Sequence, residues 1–347
     1  MYPSRFRYEA PTTPLVRPRG DDADDEPEDE DAECLRFADA QAPFFVRALA
    51  PSGPEWRVVS VERLLSFFRN PSRQLLRERL GVAIPETPAE LADDEPFVPD
   101  PRTHWALADR LLAQLRDGAS PAALRAAVRA GVDYPPGPLG DRLVGRELAR
   151  LRAFADAIAG DSAPPALTPV PLAFAVDVGD GDGPWRIEGA LAELRPNGLV
   201  RARYANTHAQ DYLDAWIRHV LLNALRPPGV LPVTTWHSRD GTFRLLALAS
   251  ADAALAQLRT LVGLYAKGLA APLPFFPKSS WAYIRAGGKL YKARGAWNGS
   301  PQFGGESADP AFALAFRGRD DPLDDAFAVT AAAVFDGLVA CLEDPRR

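Results

Sequence analysis

Between Lys267 and Gly305 the sequence sets six bases, Lys267, Lys278, Arg285, Lys289, Lys292 and Arg294, among seven aromatics, Phe275, Phe276, Trp281, Tyr283, Tyr291, Trp297 and Phe303, without a single acid. Cations neutralise phosphates and aromatic faces stack on unpaired bases, so this interleaving is what a single-stranded nucleic-acid surface needs. The same composition also fits aromatics that fill a core beneath merely solvated bases, and composition alone leaves the two readings even. The candidates for nucleic-acid contact in this stretch are Lys278, Trp281, Arg285, Lys289, Lys292, Arg294 and Trp297. Arg201 and Arg203 form a second basic cluster. On a strand, where side chains alternate, they are expected to point outward together while Val200 and Ala202 face inward.

Other chemistries lack their groups. Gly287-Gly288-Lys289-Leu290 has neither the leading Gly nor the Ser or Thr of a Walker A loop, so ATP hydrolysis is not expected of this chain. The histidines, His104, His208, His219 and His237, form no ligand cluster. His208 and His219 on one predicted helix would stand ~16 Å apart at the helical rise, too far for one metal. There is no GxSxG elbow. A metal-dependent nuclease of the (D/E)xK type needs carboxylates to hold Mg²⁺ and a lysine to orient water. The residues two before the four lysines are Tyr265, Phe276, Gly287 and Leu290, so the motif is absent. Gly179-Asp180-Gly181-Asp182-Gly183 lacks the third ligand position and distal Glu of a calcium loop and reads as a hairpin turn. No metal or cofactor is therefore expected in this chain.

Positioning these residues falls to a chain of 347 residues, 47% hydrophobic and 25% charged, the balance of a globular protein rather than a fibrous, wholly disordered or membrane one. No apolar run approaches the length of a bilayer span, and Met1 to Arg19 has no signal-peptide core. Two cysteines at opposite ends, Cys34 and Cys341, suit a reducing cytoplasm. The net charge of −6 is unevenly placed: Asp21 to Glu33 holds ten acids and no base, and without it the body has 40 bases against 36 acids. Residues 1–55 read as a Pro-rich arm and acidic disordered linker, most simply a solvated spacer. Residues 56–160 read as helical, with Ser60, Asn70-Pro71 and Ser120-Pro121 as helix starts and Gly81, Gly118, Gly131 and Gly160 as stops. Residues 161–347 read as an α/β core with C-terminal helices. Its strands are Leu172 to Val178, Trp185 to Leu194, Leu199 to Tyr204, Leu231 to Trp236 and Thr242 to Leu248. A helix carries Leu213, Trp216, Ile217, Val220, Leu221 and Ala224 on one face, and another runs from Ser250 to Gly268. The order is irregular α/β, with one small mixed sheet and no repeat.

Ser60-Val61-Glu62-Arg63-Leu64-Leu65-Ser66-Phe67-Phe68-Arg69-Asn70-Pro71, with Arg77-Glu78-Arg79-Leu80-Gly81-Val82, resembles the opening of the C-terminal domain of the exodeoxyribonuclease V gamma-subunit family, RecC of the RecBCD helicase–nuclease. The similarity continues through Asp94 to Phe97, Pro136 to Gly140 and Asp214 to Ile217. It is strongest from Leu264 to Leu269 and Pro272 to Ser280, then touches Lys292-Ala293, Trp297 and Gly305-Glu306, covering about residues 56–342. The resemblance implies an inactivated PD-(D/E)xK restriction-endonuclease-like core, a mixed sheet flanked by helices, behind an N-terminal helical region. Ala192 stands where an active relative would carry a metal-binding Asp, and Arg203 and Ala205 stand where it would carry an acid and the lysine. A cation at a ligand position repels Mg²⁺ and attracts phosphate. The resemblance also implies RecB and RecD subunits and DNA, duplex end and single strands, as partners, with ATP and Mg²⁺ belonging to those subunits. Members are much longer, so the chain reads as a C-terminal fragment, a split-gene product or an excised domain. Recognition of the Chi sequence, housed elsewhere, is not carried over. Two rivals remain: an active nuclease on displaced carboxylates such as Asp177, Glu188 and Glu193, and a pure protein-interaction domain.

Overall fold

Ser60 sets the first boundary. A computed structural model describes residues 42–84, 101–116, 118–131, 134–135, 137–300 and 303–344. In it the Ser60 side chain accepts from the Arg63 backbone N–H at 3.1 Å, ending strand β1 (Val58–Ser60) and starting helix α1 (Val61–Arg69). Asn70 repeats the device, accepting from the Arg73 N–H at 2.9 Å, and Pro71 opens α2 (Pro71–Gln74), which runs on into a π turn over Leu75–Arg79. These caps satisfy N–H groups that have no partner inside the helix. Next come α3 (Pro101–Arg116), α4 (Pro121–Arg129) capped by Ser120, α5 (Pro138–Ala157) and the short α6 (Ala159–Ser162). They close over a small core of their own, Leu107, Leu111, Leu124, Val144 and Leu151, which Tyr204 completes from the sheet side.

Among the described residues two larger sheets follow rather than the one expected, and Gly299–Ser300 pairs with Phe303–Gly304 in a separate two-stranded ribbon. In the first, β2 (Val170–Val176) pairs antiparallel with β3 (Trp185–Leu191), and β1 lies parallel along the other side of β3. The Asp/Gly turn between β2 and β3 is a hairpin turn with three left-handed glycines. Its Asp180 side chain is taken by the Arg57 guanidinium at 2.9 Å and by Trp185 Nε1 at 3.0 Å. The strand expected to run on to Leu194 breaks at Ala192-Glu193. There Glu193 adopts a left-handed φ of 60°, and the chain turns into a second sheet. This holds β4 (Leu194–Arg195), β5 (Gly198–Arg203), β6 (Thr234–Ser238), β7 (Gly241–Leu245) and the C-terminal β8 (Leu342–Glu343), in the order β8-β7-β6-β5-β4. The β4–β5 turn requires glycine, since a Cβ on Gly198 would stand 2.2 Å from the Val233 carbonyl oxygen.

Helix α7 (Ala209–Leu225) crosses between the sheets and the remaining helices. It was expected to bury one face, yet nearly every residue from Asp211 to Asn223 is buried, polar ones included, because it is covered on both sides. α8 (Ala251–Ala270), α9 (Pro277–Arg285), α10 (Leu290–Asn298), α11 (Pro310–Ala315) and α12 (Asp325–Cys341) complete the chain. One core joins Phe67, Trp185, Ile187, Trp216, Phe243, Leu258, Tyr265, Phe275 and Phe335. The chain divides into two units, Met1–Gln41 and Ala42–Arg347. The first, with the expected acidic linker, lies outside the described residues. Residues 42–55 are tied down, the Leu49 N–H donating to the Ala270 carbonyl at 2.7 Å. Among the described residues no helix is long and apolar enough to cross a membrane.

Candidate nucleic-acid interface

The basic and aromatic stretch folds into a helical hairpin. Pro277 occupies the first position of α9, where its missing N–H costs nothing. The Glu306 carboxylate reaches back to accept from the N–H groups of Lys278 at 2.9 Å and Ser279 at 2.7 Å. Burial raises the Glu306 carboxyl above its ordinary range, opposed by those hydrogen bonds. Gly287 and Gly288, both left-handed at φ 64° and 80°, then reverse the chain into α10.

Most of the aromatic surface turns inward. Phe276 is fully buried, with Trp297 at 4.3 Å and Phe312, Phe316 and Phe327 around it. Trp281 stacks on Tyr212 at 4.3 Å and packs on Phe335, while Tyr283 meets Phe327 edge-on. The rings of Trp281 and Trp297 are thus engaged in packing, and Tyr291 stands out at 63% exposure. Of the cations, Arg285 lies over Trp281 and 3.6 Å from the buried Asp344, and Arg294 pairs with Asp321 at 2.5 Å. Lys278, Lys289 and Lys292 are exposed. Lys289 and Lys292, three apart at the start of α10, share a side of the helix, and the Lys292 ammonium sits 5.6 Å from the Tyr291 ring centre.

The second cluster is oriented differently from the expectation. Arg201 and Arg203 leave β5 half-buried and turn onto α7, because that helix presents buried carboxylates to them. Arg203 Nη2 donates to Asp211 Oδ2 at 2.6 Å and to the Asn206 carbonyl at 3.0 Å. Arg201 donates to Asp214 Oδ1 at 3.2 Å and forms an ion pair with Glu193 at 2.8 Å. Desolvation raises the Asp211 carboxyl, opposed by the His208 N–H and the Arg203 charge. Arg69 and Arg218 also reach Asp214, at 3.1 and 2.6 Å. Sequence reasoning assigned no role to Arg69, Asp214, Arg218 or Glu306. All but Arg218 lie in segments that carried the resemblance, so that placement was the available signal.

Ala192 is exposed and Ala205 buried. The displaced carboxylates do not converge. Asp177 accepts from the Gly179 N–H at 2.8 Å, Glu188 pairs with Arg186 at 2.5 Å, and Glu193 pairs with Arg201. Among the described residues no three His, Cys, Asp or Glu side chains are grouped as a metal would require.

Residues 56–288, from the approach to β1 through α9 to its glycine turn, match a family model described as the RecC C-terminal domain. The chain belongs to the RecC C-terminal domain family. Three curated RecC relatives, each named RecBCD enzyme subunit RecC, agree. That of Escherichia coli (strain K12) is 27% identical over 241 residues, 70% of this chain and 20% of its own length. That of Mycolicibacterium smegmatis is 31% identical over 245 residues, 70% of this chain and 22% of its own. That of Mycobacterium tuberculosis (strain CDC 1551 / Oshkosh) is 29% identical over 283 residues, 79% of this chain and 25% of its own. The chain thus spans about a fifth to a quarter of the RecC relatives it matches.

Proposed function

We propose that this chain is a non-catalytic DNA-handling and scaffolding part of exodeoxyribonuclease V, the RecBCD helicase–nuclease, acting in double-strand break repair and homologous recombination. On this reading it sits beside the RecB and RecD subunits, to which ATP and Mg²⁺ chemistry belongs, and helps part a duplex end and route its single strands. The α/β body is read as a PD-(D/E)xK-like core without its metal site, with Ala192, Arg203 and Ala205 at the positions of an acid, an acid and a lysine. That the similar proteins are RecC subunits of the RecBCD enzyme supports the assembly.

The observation that carries the DNA part is the surface of α10. Lys289, Tyr291 and Lys292 stand exposed together in a stretch without acids. Phosphate contacts dominate nucleic-acid affinity and make it salt-dependent. Lys278 is exposed as well, while Arg285 and Arg294 are engaged by Asp344 and Asp321, and Trp281 and Trp297 pack on Tyr212 and Phe276. Replacing Lys289, Lys292 and Arg294 together with Ala should weaken binding to a forked oligonucleotide and flatten its salt slope by about 2, at ~0.7 per single-strand phosphate contact. Fluorescence anisotropy from low to physiological salt reads both. Unchanged affinity at low salt would remove DNA contact from the assignment, and retained co-purification with RecB and RecD would then mark a protein-interaction domain.

A further inference from the structure

At the elbow between the two sheets one buried carboxylate holds three arginines. Asp214 accepts from Arg218 Nε at 2.6 Å on its own helix, from Arg201 Nη1 at 3.2 Å on β5 and from Arg69 Nη2 at 3.1 Å at the end of α1. Asp214 is 7% exposed, while the Arg218, Arg201 and Arg69 side chains are 15%, 26% and 52% exposed, so the cations rise from the interior to solvent. Tying these elements together needs one cation for one carboxylate. Three guanidinium groups crowd like charges where water is partly excluded, a cost that a further anion relieves. One such anion is present already. Glu193, in the turn from β3 to β4, forms an ion pair with Arg201, its carboxylate 2.8 Å from Nε, and is 44% exposed. It holds a left-handed φ of 60°, a strained conformation for a non-glycine residue. The Arg201 guanidinium also lies 5.2 Å from the centre of the Trp236 ring, which helps fix its plane.

We propose that this elbow is a phosphate-binding site and that Glu193 occupies it as an internal competitor. A phosphate oxyanion displaces the Glu193 carboxylate from Arg201 and takes the outward N–H groups of Arg201 and Arg69, while Asp214 keeps the three guanidinium groups aligned. The ligand chemistry is shared by a DNA phosphodiester and by free phosphate. The identification of the ligand as DNA rests on the function proposed above, and the site itself does not.

The test titrates inorganic pyrophosphate and a labelled single-stranded oligonucleotide separately into the full 347-residue chain, its Glu193→Gln variant and its Arg201→Gln variant. Tryptophan emission follows the first ligand, since Trp236 lies under Arg201, and anisotropy the second. Glu193→Gln should tighten oligonucleotide binding about three- to fivefold, the scale of one exposed ion pair removed, and steepen the salt slope by about 0.7. Arg201→Gln should weaken binding, with Arg201→Lys restoring part of it, and thermal unfolding of each variant checks that the fold persists. Pyrophosphate binding that Glu193→Gln strengthens, with no effect on the oligonucleotide, supports the site and names free phosphate as its ligand. Affinities for both ligands that do not change in Glu193→Gln overturn the proposal. If the α10 variant loses DNA in that same case, the proposed function stands without this site.

Discussion

His219 on α7 is fully buried, its Nε2–H donating to the Leu246 carbonyl at 3.0 Å and its Nδ1 accepting from the Thr234 hydroxyl at 3.0 Å. Burial holds its pKa down at about 4, against an ordinary 6.5, because the interior disfavours the imidazolium. The unfolded chain therefore takes up a proton before the folded one does. Stability from this residue is complete above about pH 6.5 and is lost as pH falls toward 4. Between pH 7 and 5 the loss is about 2 kcal/mol. Urea unfolding at the two pH values should show a smaller difference for His219→Gln than for the parent chain, and equal differences would remove the buried neutral imidazole from the account. In the sequence His219 was legible only as one of four histidines outside any ligand cluster. Its partners, Thr234 and Leu246, come from other elements, and only the fold brings them within reach. The same holds for Asp214: the residue lay in a matching segment, but its three arginines come from positions 69, 201 and 218.

Four helix starts were readable because their caps are local. Ser60, Asn70, Ser120 and Ser250 each accept a backbone N–H three residues on, and all four helices start there. The break between β3 and β4 was not readable, because the alternating pattern runs straight through Ala192-Glu193 and the kink is a backbone event. The start of α9 is a third case, since Phe276 provides no side-chain cap and the acceptor comes from Glu306, far along the chain. A carboxylate there meets two unpaired N–H groups and the positive end of the helix. Its removal leaves those donors buried and unsatisfied, so Glu306→Ala should cost about 2–3 kcal/mol in urea unfolding. Glu306→Gln, which keeps an acceptor oxygen, should cost less. The hairpin α9–α10 presents Lys289 and Lys292, so weaker oligonucleotide binding should accompany Glu306→Ala if α9 sets the position of α10. Unchanged stability would show that the cap is dispensable and the hairpin held by Phe276 and its ring of aromatics alone.

The match to the RecC C-terminal domain ends at residue 288, yet the molecule's core does not. Val334, Phe335 and Leu338 of α12 are fully buried with Trp216 and Leu258, and β8 forms the edge of the second sheet against β7. Gly337 admits the Trp216 ring, since a Cβ there would stand 2.8 Å from its Cζ2. Asp344 accepts the Tyr212 hydroxyl, beneath the Tyr212–Trp281 stack. None of this closure was legible in the sequence, whose reading placed only C-terminal helices in this region without a face of the core for them to cover. A chain ending at Gly288 keeps the whole matched segment and loses all of these contacts. Three buried side chains at ~1.5–3 kcal/mol each amount to about 4–9 kcal/mol, comparable with the entire stability of an ordinary domain. The shortened chain should therefore lose its near-ultraviolet dichroism and cooperative thermal transition and self-associate through the bared faces of Phe335's partners, Phe275 and Trp281. A cooperative transition retained by the shortened chain, with parent-like near-ultraviolet signal, would place the folding unit within the matched segment. α12 and β8 would then be an addition to a body that stands without them.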